Sequence, residues 1–202
     1  MRSSNDPYEK ILDLARREGV VSAADVRSQG IHHEYLRRLC AEKKPVRIGR
    51  GLYSLPDAEV TAHHSIAQAG KAVPKGVVCL LSALSFHEIG TQLPHHVWIA
   101  IDRRAAHPRV RRSHLRVVRF SGNALSAGID EHQIEGVTVK IYNPAKTVAD
   151  CFKYRNKIGL DVALEALREV IRDKRCTIDE LWQYAKICRV ADVMRPYAEA
   201  IV

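Results

Sequence analysis

Within the first fifty-five residues, three short segments with helical apolar spacing, each closed by a turn signal, precede an alternating stretch tipped by glycines. This order restricts the fold more than any other feature of the chain. Ile11, Leu12 and Ala15 recur at helical spacing from about Pro7 to Glu18, and Gly19 ends that segment. Ser22 and Asp25 have the spacing of a capping box, and Gly30 closes the second helix. The third begins near His32–His33, carries Leu36, Leu39 and Cys40 on its inner face, and ends in Lys43-Lys44-Pro45. Val46 to Leu55 then reads as a two-stranded hairpin with Gly49-Arg50-Gly51 at its tip. Three helices and a hairpin in this order predict a winged helix-turn-helix over residues 1–58.

After Pro56-Asp57 the pattern changes, and residues 59–202 read as a second domain of mixed type. A helix is expected at 62–72 and an apolar strand–helix passage at Val77–Glu88. Alternation marks strands at His96–Ile101, His114–Phe120 and Gly136–Tyr142. Asn143 before Pro144 is a favoured helix start, and Thr177 with Glu180 forms a second capping box. Helices follow at about 145–153, 159–173, 177–188 and 190–201. The expected class is α+β: an N-terminal winged helix-turn-helix, then an α+β domain with a small sheet and several helices.

The formal net charge of +9 favours a polyanionic partner, of which nucleic acid is the commonest for a soluble protein. The excess is uneven: eleven basic and nine acidic residues lie in 1–60, nine and two in 61–120, and twelve of each in 121–202. On the third helix, His33, Glu34, Arg37 and Arg38 fall on the outer face, with Tyr35 near its edge. Arginine pairs bidentately with guanine, and histidine or tyrosine reaches phosphate or a base edge. Lys43, Lys44, Arg47 and Arg50 extend this basic surface into the hairpin, where Gly51 lets the backbone turn. The expected contacts with double-stranded DNA are therefore His33, Tyr35, Arg37, Arg38, Lys43, Lys44, Arg47, Arg50 and Gly51. A second basic stretch, Arg103–Arg119, holds Arg103, Arg104, Arg109, Arg111, Arg112, Arg116 and Arg119 and no acid. It is expected to extend the DNA surface; RNA or an acidic protein are the rival ligands.

Residue patterns for other chemistry are weak. The five cysteines are odd in number and none has C-x-x-C spacing, so disulfides and a zinc ribbon are not expected. Ten histidines form no metal-ligand motif, and no nucleophile elbow or phosphate loop occurs. Lys146 and Asp150 read as a structural i,i+4 helix pair. The expectation is a non-enzyme without cofactor or metal, cytoplasmic and not membrane-bound: the longest apolar run, Val77–Leu84, is too short to span a bilayer. The alternatives are an interaction protein that grips an acidic toxin or RNA through the basic stretch, and a nucleic-acid-processing enzyme using Asp102 and nearby histidines.

Three segments taken together resemble the AbiEi antitoxins, the regulatory half of type IV toxin–antitoxin (abortive-infection) systems. They are Tyr35-Leu-Arg-Arg-Leu with Val46–Tyr53, the stretch Val78-Cys-Leu-Leu-Ser-Ala-Leu-Ser-Phe-His-Glu-Ile-Gly90, and Tyr142-Asn-Pro-Ala-Lys-Thr-Val-Ala-Asp-Cys-Phe152. The resemblance implies an N-terminal winged domain that binds inverted repeats at its own promoter and a C-terminal domain that supports repression and antitoxicity. It also implies a nucleotidyltransferase-like toxin as functional partner, countered without a stable complex.

Overall fold

The computed structural model describes residues 6–41, 45–49, 51–55, 63–108 and 115–201. They divide into two compact units. One runs to Pro74 and takes in His132–Val139; the other holds Lys75–His107, the chain up to Glu131, and everything from Lys140.

The first unit opens with α1 (Pro7–Glu18), capped by Asp6, whose side chain accepts the Tyr8 N–H at 3.0 Å. A short strand, β1 (Val20–Ser22), leads into α2 (Ala23–Ser28). The Ser22–Asp25 capping box is formed in both directions. Burial alone would raise the Asp25 carboxyl, but hydrogen bonds from Lys71 and with Ser22 hold it below its usual range. Gly30, at φ 73°, makes the turn to α3 (His33–Ala41); a left-handed residue is required there, and glycine supplies it without steric cost. β2 (Val46–Gly49) and β3 (Leu52–Ser54) form an antiparallel hairpin, and β1 pairs with β3 in the strand order β1-β3-β2. Ile11, Leu14, Ala15, Val21, Val26, Ile31, Leu36 and Leu39 form the core between them. α4 (His64–Ala72) completes the unit, with Lys71 bound to Asp25 at 2.6 Å and His64 to Glu135 at 2.6 Å.

In the second unit, β4 (Val77–Val78) precedes α5 (Leu80–Phe86), then β5 (Val97–Asp102) and β6 (Leu115–Phe120). After α6 (Asn123–Ser126), β7 (Ile129–Ile134) and β8 (Val137–Tyr142) form a hairpin turned by Glu135 and Gly136, both at positive φ; its base lies in this unit, and His132–Val139 are counted with the first. The sheet is mixed, in the order β6-β5-β4-β8-β7: β5 runs parallel to β6, β4 parallel to β8, and β4 antiparallel to β5. The helices are α7 (Pro144–Lys153), α8 (Arg155–Ile158), α9 (Leu160–Arg172), α10 (Ile178–Ile187) and α11 (Ala191–Glu199). α7 is the centre of this unit, with every side chain from Ala145 to Phe152 buried.

The α+β class and most helices fall where periodicity puts them, and the Thr177–Glu180 capping box is formed. Several local expectations differ. β1 and β7 carry no strand expectation from sequence. β5 is buried at every position from Val97 to Ile101 rather than alternating, as suits an inner strand. Cys40 is only half-buried, because the inner seam of α3 is made by Leu36 and Leu39.

Asn143 starts α7 by accepting the Lys146 N–H at 2.9 Å, and its amide donates to the Tyr184 hydroxyl at 3.1 Å. Asn143→Ala removes both bonds. A stability loss of about 1–2 kcal/mol is expected, read as a lower denaturant midpoint for the full chain.

Candidate nucleic-acid interface

The outer face of α3 carries the exposed cations. The side chains of Arg37 and Arg38 are 78% and 63% exposed, while Leu36 and Leu39 opposite them are buried. His33 is exposed at the start of the helix, its ring 4.4 Å from that of His32. Tyr35 is half-buried and meets the Tyr8 ring edge-on at 5.2 Å. That contact ties Tyr35 to α1 and gives it a packing role in addition to any reach toward a ligand.

Glu34 is the residue on this face whose importance the charge pattern hides. Its carboxylate accepts from Arg37 Nε at 3.2 Å and Arg37 Nη2 at 2.9 Å, and lies 3.9 Å from Arg38 Nε. A hydrogen bond with the Tyr8 hydroxyl holds the Arg38 guanidinium above its ordinary value, with Glu34 adding to the effect. Both arginines are therefore fanned over one acid, and the face carries less net charge than a count of its arginines implies. The signal was available: Glu34 stands three and four residues before its partners, the spacing at which helix side chains meet.

Arg47 is exposed on β2. Burial pushes the half-buried Cys40 thiol up, and the charge of Arg47 pulls it the other way. Arg47 therefore adds an exposed cation in the hairpin to those of α3. Gly51 occupies the turn at φ 71°. Lys43, Lys44 and Arg50 lie outside the described residues.

In the second unit, Arg103 and Arg104 are exposed in the turn after β5, and Arg116 and Arg119 are exposed on β6. They differ in availability. Arg119 Nη1 donates to the carbonyls of Asp102, Arg103 and Ala105 at 3.3, 2.9 and 2.8 Å, so it fastens the turn. Arg116 lies over the Trp98 ring at 4.5 Å, a cation–π contact that leaves guanidinium donors free to bind. Arg109, Arg111 and Arg112 lie outside the described residues.

The most polar part of the second unit's core is the pair expected from sequence as a helix contact. Lys146 Nζ donates to both Asp150 oxygens at 2.6 Å, and the Cys188 thiol donates to Asp150 Oδ1 at 3.2 Å. Neither partner is accessible: Lys146 is 0% and Asp150 1% exposed. The ammonium also sits 4.1 Å from the Tyr142 ring centre and 5.0 Å from that of Phe120. Burial raises the Asp150 carboxyl to about 6, with Lys146 opposing. Burial likewise pushes the Cys188 thiol up to about 12 and those of Cys79 and Cys151 well above their ordinary value. These thiols stay protonated at neutral pH and are not poised as nucleophiles.

Among the described residues, no three His, Cys, Asp or Glu side chains come together as a metal site. His64 is instead bound to Glu135 and Gln68, at 2.6 and 2.7 Å. No described helix is long and apolar enough to cross a membrane.

The fold has a solved counterpart in the crystal structure of RV2827C protein from Mycobacterium tuberculosis. The TM-score is 0.61 at 14% identity, and the match covers 96% of this chain and 80% of that one. No curated protein matches the chain. Residues 9–56, which carry α1 through β3 with the arginine face of α3, match the family model of the AbiEi antitoxin transcriptional regulators.

Proposed function

We propose that the chain is a DNA-binding transcriptional repressor and the autoregulating antitoxin of a type IV toxin–antitoxin system. In this reading, residues 1–58 are a winged helix-turn-helix. α3 enters the major groove, the β2–β3 hairpin is the wing, and residues 59–202 serve repression and antitoxicity. The observation that carries it is the exposed Arg37–Arg38 face of α3, in a segment that matches AbiEi regulators. The order α1-β1-α2-α3-β2-β3, with a β1-β3-β2 sheet, supports the winged reading. The ligand is double-stranded DNA carrying inverted repeats at the gene's own promoter. The functional partner is a nucleotidyltransferase-like toxin, antagonised without a stable complex.

Arg47 in the wing contacts phosphate. Arg47→Ala is expected to weaken specific and non-specific DNA about equally and to reduce the salt slope by about one unit. Loss confined to the specific sequence, measured by fluorescence anisotropy over a salt series, would assign the wing to base reading instead.

Glu34 restrains the two arginines it holds. Glu34→Gln removes a negative charge from the DNA face and releases Arg37 and Arg38. Tighter binding to non-specific duplex is expected, by about two- to tenfold at low salt, with a smaller ratio of specific to non-specific affinity. Unchanged non-specific affinity would remove Glu34 from the interface.

Arg116 over Trp98 favours a second reading of the basic stretch, because an exposed guanidinium stacked on an indole is also a platform for an unstacked RNA base. Replacement of Arg103, Arg104 and Arg116 by Ala separates the two. Weaker operator binding supports an extended DNA footprint, while retained operator binding with lost toxin neutralisation in cells assigns the stretch to antitoxicity.

A further inference from the structure

The second unit contains a cavity of about 540 Å³ to which neither the DNA-binding reading nor the core gives a role. Its composition is that of a ligand site. Asp150 lines it and is buried, whereas Arg119, Lys153 and Arg189 line it and are exposed, so the acid lies deep and the cations stand at the rim. Phe120 and Tyr154, whose rings are 5.5 Å apart, supply an apolar aromatic wall. The size lies in the range of small-molecule sites, and an apolar wall with a few converging polar groups is their usual make-up.

Two features are hard to explain by folding alone. The first is the buried Asp150 itself, with Lys146 on one side and the Cys188 thiol on another. A buried ion pair is seldom more stabilising than apolar side chains of the same volume, yet this one borders open space. The second is Arg189. It follows the end of α10 at φ 60°, a position that favours glycine, and the chain carries a strained arginine there instead. Neither Lys153 nor Arg189 has an ion-pair partner among the described residues. Arg119 is already engaged with the turn carbonyls, which leaves Lys153 and Arg189 as the rim cations available to a ligand.

We infer that this cavity binds a nucleoside phosphate. The planar base lies against Phe120 and Tyr154, and the phosphate meets Lys153 and Arg189. Aromatic side chains favour a flat heterocycle, and paired cations at the mouth require an anion. The inference is independent of DNA binding and stands or falls separately from it.

Calorimetric titration of the full chain with nucleoside 5′-monophosphates, the matching nucleosides and inorganic phosphate tests it. Saturable binding of at least one nucleotide is expected at concentrations below about 1 mM. Lys153→Gln with Arg189→Gly should weaken it by at least about tenfold. Glycine relieves the backbone strain at 189, so the thermal midpoint without ligand should not fall, and lost binding cannot be put down to unfolding. Absence of binding by every nucleotide at about 1 mM overturns the inference. So does equal binding by the double variant, or inorganic phosphate binding as tightly as the nucleotides.

Discussion

Lys146→Met is expected to destabilise the second unit by about 3–5 kcal/mol. The substitution keeps much of the side chain's volume and removes its charge. It leaves the Asp150 carboxylate 1% exposed with the Cys188 thiol as its one remaining donor in the described structure. An unpaired buried charge is far more costly than the pair is favourable. The double variant Lys146→Met/Asp150→Leu, which removes both charges, should therefore recover most of the loss. Denaturant unfolding of the three proteins measures this directly, and a double variant as unstable as Lys146→Met would show that the pair is not the cause. The pH dependence follows from the raised carboxyl. Asp150 has a folded-state value of about 6 against the usual 3.8, so the folded state holds the extra proton between those values. The group's contribution to stability is then fully present below about pH 4 and is lost as the pH rises through about 6. That slope should be absent from the double variant.

Arg37→Ala/Arg38→Ala should abolish specific DNA recognition without unfolding the chain. Each bidentate arginine–guanine contact is worth about 1–3 kcal/mol, so loss of both amounts to between about thirtyfold and 10⁴-fold in operator affinity. Their side chains are largely exposed, and the contacts they make are with Glu34 and the Tyr8 hydroxyl. The folded state therefore loses little beyond weak surface pairing. Circular dichroism and the thermal midpoint check the fold, and unchanged operator affinity in the folded double variant would remove α3 from the groove.

Much of the first unit is legible in its sequence because short-range signals agree there. Ile11 and Ala15 set a helical period, Ser22 and Asp25 cap α2, Gly30 supplies the left-handed turn, and Gly51 tips the hairpin. β1 is hidden for a physical reason. It is three residues long and exists through pairing with β3, about thirty positions later, which no local pattern encodes. The same holds for β4, a two-residue strand fixed by β5 and β8. At the candidate interface the cations of α3 and the i,i+3 and i,i+4 spacing of Glu34 to them were legible from the sequence, whereas the engagement of Arg119 was not. Arg119 reads as patch until its three carbonyl contacts make it a staple. The Lys146–Asp150 pair was correctly spaced as a helix contact, but its depth depends on how helices far apart in the chain close over α7. Spacing on one helix carries no information about that.

The most direct test of the proposed function is a footprint of the full chain on the DNA upstream of its own gene, with affinity for that DNA and for a scrambled duplex measured at one fixed salt concentration. Protection of an inverted repeat is expected, with affinity at least about 10³-fold above the scrambled duplex and lost in Arg37→Ala/Arg38→Ala. Equal affinity of the folded wild-type chain for both duplexes, with no protected repeat, would contradict it.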